Sequence, residues 1–284
     1  MVKGVPLQVM KNMKLIMTCF AMLLSVLQAK EQPCIVTMGY KLESKPPYIF
    51  SDNSGIYADV YGDALKRVGC SLKIKRLPKL RIIEAMKEGK IDFYPTFAFT
   101  TERAAYTLFI PSHIDHKNVL VTRSEYPELT SIQQLLALDP VLLKERGGYS
   151  KLEGIPARRF ETTATNIDKN IALLLNKRID AFSYPYRIIT YYMKLHPDIA
   201  EQIRIHKHFF PPEHNVHTLG FSLFSPYCQV EINKMFDPLQ PISVHNFPTR
   251  AAEGSVVKRF AHALEEMDEQ GEIEKIYDQQ KSVE

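Results

Sequence analysis

The chain has 284 residues, of which 45% are hydrophobic and 24% are charged. This is an ordinary globular composition, long enough for one large domain or for two lobes with apolar cores. The formal net charge of +4 falls to about +1 once the three lysines of the first 29 residues are left out, which argues against nucleic acid as a partner.

The first 29 residues are typical of a secretory signal peptide. Lys3, Lys11 and Lys14 precede an apolar run from Leu15 to Leu27, and the small residue Ala29 ends the segment. The run is about a dozen residues long, short of the ~20 that a membrane anchor needs. We therefore expect cleavage after Ala29 and a periplasmic protein. No cysteine directly follows the run, so no lipid anchor is expected.

Three cysteines remain after such a cleavage, Cys34, Cys70 and Cys228. An oxidising compartment permits disulfides, and an odd number leaves at least one thiol unpaired. Cys34 opens the first predicted strand and Cys70 immediately precedes the second. A Cys34–Cys70 disulfide is therefore a candidate if these strands are parallel neighbours. The alternative is that all three are buried as small apolar residues.

The first part of the mature chain alternates predicted strands and helices. The run CIVTMGY predicts a strand over 34–40, and apolar residues from Ile56 to Val68 fall at helical spacing before Gly69. A strand over 71–76, a helix over 80–87 and a strand over 91–96 follow. This β-α-β-α-β order implies parallel strands with right-handed crossovers.

The later part of the chain repeats some of these signals. Strands are predicted over 118–123, 141–145 and 219–224, and helices over 130–138, 165–176, 229–236 and 255–269. The proline-rich stretch 237–248 is expected to be an inserted surface loop. The junction KEGKIDFYP at 87–95 is similar to LNKRIDAFSYP at 175–185. This similarity suggests that each half of the protein carries its own α/β sheet.

Four segments carry a resemblance to a known family. They are KPPYIFSDNSGIYADVYGDALKRVG at 45–69, EGKIDFYPTFAFTTERAAYTLFIPS at 88–112, GFSLFSPYCQVEINKMF at 220–236 and EEMDEQGEIEKIY at 265–277. With them, the chain resembles the extracellular solute-binding proteins of family 3, the polar amino-acid receptors of ABC transporters. The resemblance extends over nearly all of the mature chain.

The resemblance implies an α/β fold of two lobes, a type II-like periplasmic binding protein with its ligand cleft between the lobes. Lobe 1 is expected to comprise residues 34–118 and 225–284, and lobe 2 residues 124–218. Two crossing strands near 119–123 and 219–224 would form the hinge. The implied function is capture of a small carboxylate-bearing solute by hinge closure, for delivery to a membrane permease.

The resemblance also implies a carboxylate-binding arginine. In the family the arginine of the T-x-E-R-A motif grips the carboxylate of the ligand, and it corresponds here to Arg103. A guanidinium presents a planar fork of donors that matches a carboxylate. The alternative is a surface arginine paired with Glu102.

Other ligand contacts are expected around this arginine. Ligands of open α/β sheets bind beyond the carboxyl ends of strands, and the residues that follow the third strand are Thr96, Phe97, Ala98 and Thr100. Thr100 is alternatively a helix cap. Tyr48 and Phe50 correspond to the aromatic wall of the family's site, although Phe50 fits the core equally well. Arg81 is a further candidate for a positive contact, or else a solvated helix charge.

The second lobe shows a looser match and one departure. Gly148, Tyr149 and Ser150 resemble the family turn that meets the carboxylate at a helix N-terminus. The family usually has an ammonium-binding aspartate a few residues after its Ile-Asp-Ala, but here IDA at 179–181 is followed by FSYPY, with Tyr184 at this place. Glu43 could substitute for it, or is a solvated loop charge. The ligand is thus an amino-acid-like solute or another organic anion.

Other functions have weaker signals. His206, His208, His214 and His217 lie near Glu213 but match no zinc motif, so we expect no metal site. Nucleotide and hydrolase signatures are absent from the sequence, and no cofactor is expected. We expect a monomeric binding protein and not an enzyme. The alternatives are a lyase that uses Glu43 or Glu213 as its acid or base, and a ligand-binding partner of a membrane sensor.

Overall fold

The computed structural model describes residues 33–145, 150–162, 166–211 and 217–280. The predicted signal peptide over 1–29 lies outside the described residues, as do Gly148 and Tyr149 of the predicted turn. No helix within these four stretches is long and apolar enough to cross a membrane.

Strands and helices alternate along most of the described chain. The strands are β1 (Cys34–Tyr40), β2 (Cys70–Arg76), β3 (Phe93–Tyr94), β4 (Thr107–Pro111), β5 (Asn118–Arg123), β6 (Val141–Glu145), β7 (Arg158–Thr162), β8 (Ala181–Pro185), β9 (Ile203–His206), β10 (Thr218–Ser222), β11 (Val230–Ile232) and β12 (Thr249–Ala251). The helices are α1 (Ile56–Arg67), α2 (Lys79–Lys87), α3 (Thr101–Ala104), α4 (Ile132–Leu136), α5 (Ile167–Leu175), α6 (Tyr186–Leu195), α7 (Pro197–Ala200), α8 (Val256–Glu269) and α9 (Glu272–Gln280). The helices predicted over 130–138, 165–176 and 255–269 are confirmed as α4, α5 and α8.

The first sheet has the strand order β2-β1-β3-β10-β4. β3 runs parallel to β1, whereas β10 runs antiparallel to β3 and β4. β3 is shorter than the strand predicted over 91–96, because Pro95 lacks the N–H that would continue the ladder. Helix α1 packs against β2 and α8, and its buried residues include the predicted stripe Ile56, Val60, Ala64 and Leu65.

The second sheet has the strand order β7-β6-β8-β5-β9. β6 is parallel to β7 and β8, and β5 is antiparallel to β8 and β9. Both faces of β5 are covered. Val119 and Val121 belong to one core cluster, whereas Leu120 between them belongs to another. Two mixed sheets, each with its own core, confirm the predicted two-lobed α/β fold.

The two segments expected to cross between the lobes each lie inside one sheet. β5 is an inner strand of the second sheet, and β10 is an inner strand of the first. The reason is that an apolar run such as NVLVTR, buried on both faces, gains most inside a covered sheet. The chain therefore passes between the sheets at 112–117, after β4, and returns between β9 and β10.

The two Ile-Asp junctions have the same local geometry in the two lobes. The Asp92 amide donates to Thr37 O at 2.9 Å, and the Thr37 amide donates to Asp92 Oδ2 at 2.6 Å. Likewise, the Asp180 amide donates to Val141 O at 2.7 Å, and the Val141 amide donates to Asp180 Oδ2 at 2.8 Å. Each aspartate thus fastens its own strand to a parallel neighbour, which explains why the sequence similarity marks two separate sheets.

The segment before the proline-rich stretch is a strand, and the helix predicted over 229–236 is wrong. β11 pairs with β12 in a two-stranded antiparallel ribbon, with Glu231 opposite Arg250. The side chains of these two residues form an ion pair with Oε1 and Nη2 2.6 Å apart. Cross-strand pairing of opposite charges favours the ribbon, and a helix would lose this pairing.

The three described cysteines differ in state. Cys34 and Cys70 are both disulfide-bonded, and they are the first residues of the adjacent strands β1 and β2. Cys228 is a free, buried thiol. Burial raises the pKa of Cys228 to about 12, which keeps the thiol protonated and unreactive. The pairing of Cys34 with Cys70 stays a prediction that these positions support.

Candidate functional site

A cavity of about 830 Å³ lies between the two sheets. Its size is in the range of small-molecule sites, ~300–1,000 Å³. Three parts of the fold contribute to its wall. The first sheet and its loops contribute Lys45, Thr96, Phe97, Ala98, Phe99, His116, His217 and Thr218, the second sheet side contributes Asn118, Leu143, Ser150, Lys151, Asn170, Phe182, Ser183, Tyr184 and Pro185, and the loop before β12 contributes Ser243, Val244 and His245.

The segment after β3 forms one wall of the cavity, as expected from its place beyond the end of a strand. The Phe97 amide donates to Thr218 O at 2.9 Å, and Thr218 Oγ1 donates to Phe97 O at 2.8 Å. Gly220 permits this contact, because a Cβ there would lie 2.5 Å from Phe97 Cδ1 and 2.7 Å from Thr107 Cγ2. The structure thus brings the predicted residues Thr96, Phe97 and Ala98 to the cavity.

Arg103 does not line the cavity but lies against its wall. Its Nη1 donates to Ala98 O at 2.7 Å, and its guanidinium carbon lies 4.4 Å from the centre of the Phe97 ring. Thr100 Oγ1 accepts a hydrogen bond from the Arg103 amide at 3.2 Å and caps the short helix α3. The side chain thus contacts a carbonyl and a ring of this wall, and binding of a carboxylate by Arg103 stays a prediction.

The remaining contacts predicted in lobe 1 are also placed elsewhere. Tyr48 is fully buried, its hydroxyl donates to Asp115 O at 2.7 Å, and its ring lies behind His116 with 4.7 Å between centroids. Phe50 packs edge-on against Tyr191 of α6, with centroids 5.9 Å apart. Both rings pack against other side chains, because burying aromatic surface stabilises the fold more than exposing it in a polar cleft would. The other two candidates, Arg81 and Glu43, are exposed.

The second sheet supplies the opposite wall. Ser150 and Tyr184, both predicted, line the cavity. Ser150 Oγ accepts a hydrogen bond from the Leu152 amide at 3.2 Å and so shapes its own turn. Asn170 of α5, which the sequence did not indicate, also lines the cavity and is 2% exposed. Its Oδ1 is buried and accepts no hydrogen bond from the described part of the chain, so this oxygen is an acceptor at the cavity wall.

Four basic residues of the cavity, Lys45, His116, Lys151 and His245, were not predicted, and His217 was considered only as a metal ligand. The rings of His116 and His217 lie 5.3 Å apart. Burial, followed by the charges of Lys45 and His217, lowers the pKa of His116 well below its usual value. Burial and the charge of Lys41 lower the pKa of Lys45 to about 8. Only the crossing geometry brings these residues together, so no local sequence signal could have identified them.

The predicted histidine group is divided by the structure. His206 is fully buried, with Nδ1 accepting from the Leu129 amide at 3.0 Å and Nε2 lying 2.8 Å from Thr122 Oγ1. It is a core residue with both ring nitrogens in use. His208 is exposed, and His214 and Glu213 lie outside the described residues.

The proline-rich stretch 237–248 is more than a surface loop, because its residues Ser243, Val244 and His245 reach the cavity. Asn246 holds the loop together. Its Nδ2 donates to Asp237 O at 2.9 Å and its Oδ1 accepts from the Asp237 amide at 2.9 Å. A loop closed on itself in this way presents its cavity-facing residues with little ordering cost on binding.

A family model for bacterial extracellular solute-binding proteins, family 3, matches residues 36–280. The chain belongs to this family. No curated protein sequence matches the chain significantly.

Solved structures share the fold of this family 3 protein at low sequence identity. Substrate binding domain 2 of GlnP from Lactococcus lactis, in an open conformation, has a TM-score of 0.59 at 16% identity and covers 90% of this chain and 99% of its own. An ancestral arginine-binding protein bound to arginine has a TM-score of 0.54 at 18% identity, with coverages of 86% and 97%. The amino acid ABC transporter substrate-binding protein AbpA from Streptococcus pneumoniae, bound to L-arginine, has a TM-score of 0.56 at 12% identity, with coverages of 87% and 94%.

The cavity of this family 3 protein is basic in the part that the structure describes. Its described lining includes two lysines and three histidines, and it includes no aspartate or glutamate. The residues that follow the second Ile-Asp, Phe182 to Pro185, line the cavity without a carboxylate, in line with the departure seen in the sequence.

Proposed function

We propose that this protein captures a small carboxylate-bearing solute in the cavity between its two sheets and delivers it to the permease of an ABC transporter. The observation that carries the proposal is the cavity itself, walled by both lobes. Membership of an extracellular solute-binding family supports it, as does the fold shared with a substrate-binding protein of an amino acid ABC transporter. The predicted signal peptide supports a periplasmic location for this function.

Binding would use groups from both walls and close the lobes on the solute. The backbone of Thr96, Phe97 and Ala98 and the hydroxyls of Ser150 and Tyr184 would hold its polar groups. The chain passes between the lobes twice, so rotation about the two connections would close the cleft. Arg103 would act through the wall it supports, and the protein would release the solute unchanged, as a receptor and not an enzyme.

A thermal-shift screen of the secreted protein tests this function. The panel comprises amino acids, aromatic acids, dicarboxylates and the uncharged amides of the same compounds. A ligand at about 100 times its dissociation constant stabilises the folded state by ~2.7 kcal/mol, which for a chain of this size is a rise of about 5–10 °C in Tm. We expect such a rise with a carboxylate and not with its amide.

Two arginine variants test whether the ligand-induced rise in Tm depends on the wall that Arg103 contacts or on any arginine of the surface. Arg103→Ala should reduce the rise, because the Ala98 carbonyl and the Phe97 ring lose their support. Arg81→Ala removes an exposed arginine of α2 and should leave the rise unchanged. If no carboxylate raises Tm, or if the amides act equally well, capture of a carboxylate is wrong.

A further inference from the structure

We propose that the solute is an organic anion without an ammonium group, and that Lys45, His116, His217 and His245 bind it with uptake of protons. This inference deepens the proposed function and rests on it. The chemistry that would recognise the solute is the set of basic groups in the cavity wall.

Three separate segments bring these basic groups together. Lys45 lies in the turn closed by its own pairing with Ile49. His116 belongs to the connection from β4 to β5, and His217 immediately precedes β10. The rings of His116 and His217 are 5.3 Å apart, and Lys45 Nζ lies 5.9 Å from the centre of the Tyr48 ring behind them.

Two further basic residues face the same cavity. His245 reaches it from the loop before β12, and Lys151 reaches it from the side of the second sheet. The five basic residues therefore surround the space from three parts of the fold. An anion in the cavity would meet lysine and histidine side chains from these parts of the fold, and a histidine becomes a positive group once it takes up a proton.

No described residue of the cavity wall offers a carboxylate to an ammonium group. The acidic residue next to His116 in the chain is Asp115, and its Oδ1 accepts a hydrogen bond from the Lys117 amide at 2.6 Å. The Nε2 atom of His116 is buried and has no hydrogen-bond partner among the residues that the structure describes. An α-amino acid would bring its ammonium into a basic site, whereas the same acid without the amine would leave no charge uncompensated.

The surroundings of Lys45 and His116 disfavour their charged forms, and an anion beside them would favour these forms. Burial and neighbouring positive charges lower the pKa of both Lys45 and His116. The groups that face His116 are Lys45, His217 and the rings of Tyr48 and Tyr57, and burial raises the pKa of both tyrosines, so these stay neutral. A bound anion favours the protonated bases and raises their pKa values, so binding takes up protons and tightens as the pH falls.

The test is isothermal titration of the secreted protein with matched pairs of acids. Each pair differs only in the amine: succinate with L-aspartate, glutarate with L-glutamate, and 3-phenylpropionate with L-phenylalanine. In every pair that binds, we expect the acid without the amine to bind at least about tenfold tighter. Its dissociation constant should fall about tenfold or more from pH 8 to pH 6.5, since one bound proton changes affinity tenfold per pH unit.

Proton uptake is counted from the heats in two buffers of different ionisation enthalpy. Lys45→Met and His116→Gln should each weaken binding about tenfold or more and reduce the proton count. Lys90→Met and His208→Gln remove the same groups from exposed positions and should change neither. Proton uptake by the unaltered protein is itself a predicted result, so it tests the proposal even if a cavity variant fails to fold.

The outcomes distinguish failure of this inference from failure of the proposed capture of a carboxylate solute. Tighter binding of the α-amino acids, or a dissociation constant that does not change with pH together with a proton count of zero, would overturn the inference and leave solute capture intact. If neither these pairs nor any carboxylate of the wider panel binds, both are overturned.

Discussion

Replacing Arg123 with methionine is expected to lower the free energy of unfolding by about 2–4 kcal/mol, because it removes a buried guanidinium that donates to backbone carbonyls and to the half-buried carboxylate of Asp180. Arg123 is 8% exposed. Its Nη1 donates to the carbonyls of Leu174 at 3.1 Å and Ile179 at 2.9 Å, and its Nη2 donates to Asp180 Oδ1 at 2.8 Å. Methionine fills a similar volume but removes this donor from all three acceptors. Leu174 O keeps the Lys177 amide and Asp180 Oδ1 keeps the Tyr126 hydroxyl, so the largest loss falls on the Ile179 carbonyl and on the charge of Asp180.

Urea unfolding followed by circular dichroism measures the effect. The matched control is Arg158→Met, since Arg158 pairs with Asp139 Oδ2 at 3.0 Å on the surface, with 62% and 87% of the two side chains exposed. We expect the control to lose no more than about 1 kcal/mol. Equal losses in the two variants would show that the buried network contributes no more than a surface pair.

The difference in the free energy of unfolding between the unaltered protein and Arg123→Met should also depend on pH. Burial acts to raise the pKa of Asp180, but hydrogen bonds from the Val141 amide, Arg123 and Tyr126 outweigh it, so its pKa lies below the usual value. Its contribution to stability is therefore complete above the unfolded value of about 3.9 and is lost as the pH falls through the lower folded value. The difference between the unaltered protein and Arg123→Met should narrow in that acidic range.

Replacing Asp92 with alanine is the second large change, with an expected loss of about 2–4 kcal/mol in the free energy of unfolding. Asp92 is 5% exposed. Its Oδ2 accepts from the Thr37 amide at 2.6 Å, and its Oδ1 accepts from Ser225 Oγ at 2.5 Å. Alanine leaves the Thr37 amide and Ser225 Oγ without this acceptor. The pairing of β1 with β3 is weakened as a result, and β3 leads directly into the cavity-lining residues 96–98.

The same unfolding measurement on Asp63→Ala provides the control. Asp63 is exposed on α1, and a surface substitution away from special features changes stability by less than about 0.5 kcal/mol. If Asp92→Ala loses no more than this control does, the repeated junction does not fasten the strands as we describe.

The parts of the fold that were predictable are those that local pattern determines. The stripe from Ile56 to Leu65 predicts α1, because helical spacing alone decides which face is buried. The Ile-Asp junctions predict two sheets, because the hydrogen bonds of Asp92 and Asp180 need only a neighbouring strand. The ribbon of β11 and β12 was missed, since its strands are short and their pairing partner lies across a long loop.

The candidate site was predictable only in part, for the same reason. Phe97 and Ala98 lie at the cavity, where a segment that follows a strand end is expected. The direction of the Arg103 side chain depends on the Ala98 carbonyl and the Phe97 ring, which the sequence does not place in space. Lys45 and His116 meet only because the connections between the two sheets bring distant segments together.

A crystal structure of the secreted protein with its best-binding carboxylate would test the central claim most directly. The account predicts electron density for the solute between the two sheets, against the backbone of Phe97 and Ala98 on one wall and near Ser150 and Tyr184 on the other, with the lobes closed over it. Density for the solute outside this cavity, with the cavity itself holding only solvent, would contradict the account.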